Sequence, residues 1–266
     1  MDPKLTYIGA EKSYITESNA NDKYYSGNIY ADYTKRFKDH DIHLLVGGQL
    51  EYNNYFNLYG YRDNLLHPSI LSLSAAVGND IQLKDTQYEW STEGIFGRIN
   101  YKYKERYLLE VNARYDGTSR FPKDLRWGFF PSVSAGYIIS KEPFFEPVSK
   151  AVNMMKFRVS YGRLGNSNVD YYYSAQMSKK QTKLISNGAF VDYMTAPGLG
   201  NYDLTWEKPT TFNAAVDVNL FNNQMQTSFD WYSRKTIDMI GPSEPVPAVF
   251  GVSVPVKNNT EMKGTG

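Results

Sequence analysis

"GIFGRINYKYKERYLLEVNARY" (Gly94–Tyr115) alternates with a period of two on both sides of a short charged break. Ile95, Gly97, Ile99, Tyr101 and Tyr103 fall on one side of the first half, with Arg98, Asn100 and Lys102 on the other. After "KER", Leu109, Val111, Ala113 and Tyr115 oppose Glu110, Asn112 and Arg114. Side chains point to opposite faces at successive strand positions, so this reads as two amphipathic strands joined by a tight turn. The oily face needs a neighbour, and that neighbour is either a second protein layer or lipid.

The same pattern recurs outward along the chain. "MKFRVSYG" sets Met155, Phe157, Val159 and Tyr161 against Lys156, Arg158 and Ser160, and "TFNAAVDVNL" sets Phe212, Ala214, Val216 and Val218 against Asn213, Asp217 and Asn219. "NQMQTSFDWY" places Met225, Phe229 and Trp231 opposite Gln226, Ser228 and Asp230. From Phe129 to Ile139 the odd positions are mostly apolar and the even ones include Ser132, Ser134 and Gly136. Full charges sit along the middles of the polar faces, and the apolar faces often finish in Tyr or Trp. A large membrane barrel has both properties, although a soluble antiparallel sheet also has a polar face.

Link lengths favour the barrel. "FKDHD" (37–41), "KER" (104–106) and "FNNQ" (221–224) are tight. Segments 61–88, 116–126, 162–205 and 238 onward are long and rich in Gly, Pro and Asn. Short periplasmic turns alternating with long outer loops are the asymmetry of outer-membrane barrels. The spacing predicts about nine strands, near 5–17, 23–37, 41–60, 88–103, 106–116, 127–140, 153–164, 205–220 and 223–238. An odd number does not close a single-chain bacterial barrel. The fold class expected is therefore all-β: an antiparallel transmembrane β-barrel segment, incomplete, whose closing "VKNNTEMKGTG" stops before a further strand.

Composition agrees and excludes other classes. The 266 residues carry 29 basic and 28 acidic side chains, so no bulk charge draws the chain to nucleic acid. The absence of Cys removes disulfides and thiolate metal sites, and 23 Tyr with 14 Phe suit strands and aromatic girdles. The start "MDPKLTYIGAEK" has no apolar signal core, and no apolar run is long enough for a spanning helix. No nucleophile-base order or phosphate loop stands out, so no catalytic residues are assigned and the chain is read as a non-enzyme. His40 and His43 lie beside Asp39 and Asp41, but a solvated turn accounts for them better than a metal pair.

Three blocks resemble the SusC/RagA family of TonB-linked outer-membrane proteins of Bacteroidetes. They are "GIFGRINYKYKERYLLEVNARYDGTSRFPKDLRWGFFPSVSAGYIISKEPFF", "MKFRVSYGRLGNSN" and "LTWEKPTTFNAAVDVNLFNNQMQTSFDWYSRKTIDMI", in the family's order over more than half of the chain. The resemblance implies a TonB-dependent transporter: a barrel of about twenty-two strands with an N-terminal plug, capped by a SusD-like outer-membrane lipoprotein. Such a transporter is driven through TonB, ExbB and ExbD, and it imports glycan oligomers or peptides. Residues 1–266 would then be part of the barrel domain, without plug, signal peptide or C-terminal strands. No cofactor or metal is implied.

On this reading Arg98, Glu110, Arg114, Arg158, Asp217 and Asp230 face the lumen. Trp90, Trp127, Tyr137, Trp206 and Trp231 mark the membrane interface near strand ends. Tyr171, Tyr172 and Tyr173, in the longest outer segment, are the candidate sugar platform, because aromatic faces stack on sugar rings. The alternative is a soluble, aromatic-rich β module that grips carbohydrate. In that case the odd faces of 94–103 and 109–115 would be buried against a second sheet.

Overall fold

The computed structural model describes residues 12–169, 200–244, 247 and 254–266, together with the backbone of 179–186 and 189–194. Its strands are β1 (Tyr14–Phe37), β2 (His40–Asp63), β3 (Ile81–Tyr103), β4 (Tyr107–Thr118), β5 (Trp127–Ile138), β6 (Val152–Arg163), β7 (Lys179–Ser186), β8 (Ala189–Met194), β9 (Lys208–Leu220), β10 (Met225–Gly241) and β11 (Lys257–Thr265). Nine of them form one sheet in the order β1-β2-β3-β4-β5-β6-β9-β10-β11, and β7 pairs with β8 separately. Each neighbour in the large sheet follows its predecessor in sequence once the β7–β8 hairpin is set aside, which is the connectivity of an up-and-down barrel wall.

The sheet has the expected nine strands, but not the expected nine. The alternation separates 5–17 from 23–37, whereas Tyr14–Phe37 is a single strand. The polar run "SNANDK" interrupts the alternation but not the pairing. Ser18 donates to Asn57 (2.7 Å) and Asn53 to Asp22 (2.5 Å), so polar side chains that share one face pair across the ladder. The ninth strand is Lys257–Thr265, in the segment expected to stop short of a strand; it pairs with β10 from Gly241 back to Ser233. The segment 162–205, expected to be loop, carries the β7–β8 hairpin.

The chain divides into two compact units: Met1–Tyr25 with Glu51–Trp90, and Ser26–Leu50 with Ser91–Gly266. In the first, Asp63 is nearly fully buried and organises the link after β2. Its carboxylate accepts from the Asp80 amide (3.0 Å) and its carbonyl from the Gly78 amide (2.9 Å). Tyrosines stack across this unit's strands, Tyr14 on Tyr61 at 5.7 Å and Tyr55 on Tyr88 at 4.6 Å.

In the second unit the tight turns form as the spacing predicts. Lys104 and Glu105 adopt φ of 51° and 52°, the left-handed geometry that suits the twist of a short hairpin. The link after β5 folds into 3-10 turns at Ile139–Lys141 and Pro143–Val148. Strand register aligns the alternation from one strand to the next. Ile99 lies opposite Val111, Val111 opposite Val133, Val159 opposite Ala214, and Phe229 opposite Val216. The apolar side chains thus share a single face. It is open: Ile95 is 64% and Phe229 69% exposed, and among the described residues no second layer covers it. That outcome is the reverse of the soluble-module expectation.

The buried core lies elsewhere. Phe121, Phe130, Leu204 and Trp206 pack together, with Val169, Ile240 and Val256 against them. The cluster joins the β4–β5 link and the segments flanking β9 and β11, at the long-loop end of the unit.

Candidate functional site

Opposite the apolar face runs a charged one. On β3 and β4, Arg98 donates to Asn112 (2.6 Å), which donates to Glu110 (2.8 Å). Arg114 donates to both carboxylate oxygens of Asp116 (3.1 and 2.9 Å) and to Gln49 (3.2 Å), with its guanidinium over the Phe96 ring. On β6, β9 and β10, Arg158 grips Asp217 through two hydrogen bonds of 2.7 and 2.8 Å and reaches Asp230 at 3.4 Å. The Ser228 hydroxyl donates to Asp217 at 2.7 Å. A planar fork on a carboxylate is the strongest geometry available to such a pair. All six residues expected to face the lumen therefore share one face, in three hydrogen-bonded groups centred on Arg98, Arg114 and Arg158.

Between the Arg98 and Arg158 groups lies a concavity of about 520 Å3 lined by Asp41, Asn100, Lys102, Glu110, Lys156 and Arg158. It offers both signs of charge and several amide and hydroxyl groups. That chemistry suits hydrated polar solutes rather than an apolar ligand. Among the described residues there is no cluster of acids and histidines suited to a metal ion.

The five aromatic candidates part company. Trp127 stacks on Tyr115 at 4.8 Å, and Tyr137 on Tyr107 at 5.0 Å, both on the apolar face. Trp231 meets Phe212 edge-on at 6.0 Å on the same face, though β10 continues ten residues past it. Trp90 is half-buried near Tyr24 (6.1 Å) and sits well inside β3, not at its end, because that strand starts at Ile81. Trp206 is the correction: it is 5% exposed in the loop-end core, its indole N–H donating to the Arg126 carbonyl at 2.8 Å. Its ring has Phe121 and Phe130 as edge-on neighbours, so protein rather than lipid takes up its surface. Tyr171, Tyr172 and Tyr173 lie outside the described residues.

One feature has no signal in the sequence pattern. His40 is not a solvated turn residue but opens β2, with Nδ1 2.7 Å from the Tyr101 hydroxyl. Its ring stacks on Phe37 at 4.9 Å and lies 4.9 Å from Tyr103, which continues to Tyr107 (6.1 Å) and so to Tyr137. Five rings on five adjacent strands thus form a ladder at the short-turn end of the apolar face. Along β4 the distance from Tyr107 to Tyr115 is about 27 Å at ~3.4 Å per residue. At a ~40° strand tilt that is roughly 21 Å of height, close to the ~25 Å apolar band of outer-membrane barrels.

A sequence profile described as "TonB dependent receptor-like, beta-barrel" matches residues 4–265. The chain belongs to the TonB-dependent receptor β-barrel family. It is 30% identical over 240 residues to "TonB-dependent receptor P3" of Formosa agariphila, covering 89% of this chain and 24% of that protein. It is 30% identical over 254 residues to "TonB-dependent receptor SusC" of Bacteroides thetaiotaomicron, covering 90% and 23%. The structure titled "Structure of the RagAB peptide transporter" superposes with a TM-score of 0.84 at 25% identity, covering 94% of this chain and 28% of that one. This TonB-dependent receptor segment spans about a quarter of the length of these relatives. The relatives are receptors and transporters, not enzymes, and the SusC/RagA resemblance of the three sequence blocks is borne out.

Proposed function

We propose that this segment is wall of an outer-membrane transporter that imports glycan oligomers with a SusD-like lipoprotein as its lid and TonB, ExbB and ExbD as its energy source. The observation that carries the reading is the two-faced sheet. One face leaves a band of apolar side chains open between aromatic rows, as lipid requires, and the other presents paired charges and amides, as a water-filled lumen requires. Arg98, Glu110, Arg114, Arg158, Asp217 and Asp230 then face solute, while Trp127, Tyr137 and Trp231 edge the bilayer. Kinship with SusC supports the importer and its lipoprotein partner. A second reading, peptide import, is favoured by the likeness to RagAB and by the mixed charges of the concavity, where Asp41 and Glu110 stand with Lys102 and Lys156.

The test is uptake by intact cells with and without the gene for the whole receptor. Fluorescent oligosaccharides and fluorescent peptides are offered separately. Deletion is expected to abolish oligosaccharide accumulation; loss of peptide uptake alone transfers the assignment to the second reading, and loss of neither refutes import.

A further inference from the structure

The apolar face carries a depression of about 630 Å3 in the second unit, crossing β1 to β5 near the Tyr115–Trp127 stack. Its floor includes Gly27 and Gly48, and its walls include Ile29, Leu50 and Ile95, which are 78%, 61% and 64% exposed. The two glycines are not demanded by the backbone, since neither has the positive φ that excludes other residues. Nor are they demanded by packing. A Cβ at Gly27 would meet nothing within 4 Å, and one at Gly48 nothing closer than 3.7 Å. Gly47, next along the chain and on the other face, is the contrast: a Cβ there would come within 2.6 Å of the Phe96 ring. A strand-interior glycine weakens a sheet, and close approach of a ligand is one of the reasons such a glycine occurs.

We infer that this trough seats one acyl chain of a membrane lipid. The inference rests on the apolar face meeting lipid, and on its own it concerns where a chain stays, not whether lipid is present. The size is right for a chain and too small for a strand or helix of another protein, since small-molecule sites occupy ~300–1,000 Å3. Four strand spacings give a length of about 19 Å, slightly more than the ~15 Å that one leaflet of a ~30 Å hydrocarbon core allows an upright chain. The trough runs across tilted strands, so a chain in it lies inclined. The polar residues at its margin are Asn28, Gln49 and Glu93, with no cation among them. That selects the hydrocarbon tail, not a phosphate headgroup, as the recognised part.

The whole receptor is placed in nanodiscs of palmitoyl-oleoyl phosphatidylethanolamine, released in the gas phase, and weighed with its retained lipids. Gly27→Leu/Gly48→Leu is expected to retain one lipid fewer than the parent, while Gly97→Ala, on the same face but outside the trough, retains the parent number. Equal retention by the trough variant overturns the proposal, and so does its conversion from a larger assembly to single receptors, which would mean that another copy fills the trough. Should the double variant not fold, a cryo-microscopy map of the parent in the same nanodiscs decides. Chain density along Gly27 and Gly48 supports the site, lipid density elsewhere on the band with an empty trough overturns it, and no lipid anywhere on the band refutes the underlying membrane reading instead.

Discussion

Two tryptophans at strand starts, Trp127 opening β5 and Trp206 two residues before β9, look alike in the sequence and end in opposite environments. Trp127 lies on the open face against Tyr115; Trp206 is enclosed by Leu204, two residues before it, and by Phe121 and Phe130 from the β4–β5 link and β5. Periodicity could not separate them, because the burial of Trp206 depends on a loop folding over it, and loop packing leaves no local repeat. Trp206→Ala should therefore cost about 3–5 kcal/mol, seen as a lower unfolding midpoint in detergent and faster protease cleavage of the 118–126 loop. Trp206→Phe, which keeps a ring but loses the bond to Arg126, should cost nearer ~1 kcal/mol. At the opposite end, Lys141 lies 2.8 Å from Glu105 in the β3–β4 turn and holds its carboxyl below the ordinary glutamate value, by hydrogen bonding first and charge second. A depressed acid contributes stability above its unfolded pKa, and the contribution disappears as pH falls through the lower folded value. Lys141→Ala should return the Glu105 titration upward toward its ordinary value, as read by carboxyl carbon shifts of labelled protein. An unmoved midpoint would show that the pair does not form in solution.

Among the elements, β2 to β6, β9 and β10 are legible in the sequence, and the continuity of β1 and the existence of β11 are not. β4, β5 and β6 alternate cleanly because most of their apolar side chains share one open face and their charged and amide side chains the other. β1 and β10 run beyond the apolar band, and there both sides carry polar residues, so period two fades while the hydrogen-bonded ladder continues. β10 also hides a bulge. Asp238 has φ 58°, the register with β11 slips between Thr236 and Met239, and the Asp238 carboxylate takes a 2.7 Å bond from Lys208. Left-handed backbone costs an L residue with a Cβ roughly 1–2 kcal/mol, and Asp and Asn tolerate it best. Asp238→Asn should be nearly neutral. Asp238→Val should lower the thermal midpoint and speed amide exchange in β11, since a β-branched residue fits that conformation poorly.

Across the whole molecule, the family blocks and the alternation together make fold class, receptor family and the shared polar face readable without coordinates. The solvent of each face is tested by charge. Val111 and Asn112 are neighbours on β4 that point to opposite sides. Val111→Arg places a cation in the middle of the apolar band and should destabilise the receptor by about 2–4 kcal/mol, lowering its yield in the membrane. Asn112→Arg should be tolerated, because its side meets water and charged partners. Equal penalties would contradict the two-solvent arrangement.

On the membrane reading proposed above, the ring ladder from Phe37 through His40 and Tyr103 to Tyr137 gives the receptor a waterline. Because five neighbouring strands share that level, the protein cannot ride up or sink strand by strand, and any mismatch with bilayer thickness falls on the lipids. A thicker membrane has to pinch where it meets these strands, and the pinched annulus travels with the receptor as it diffuses.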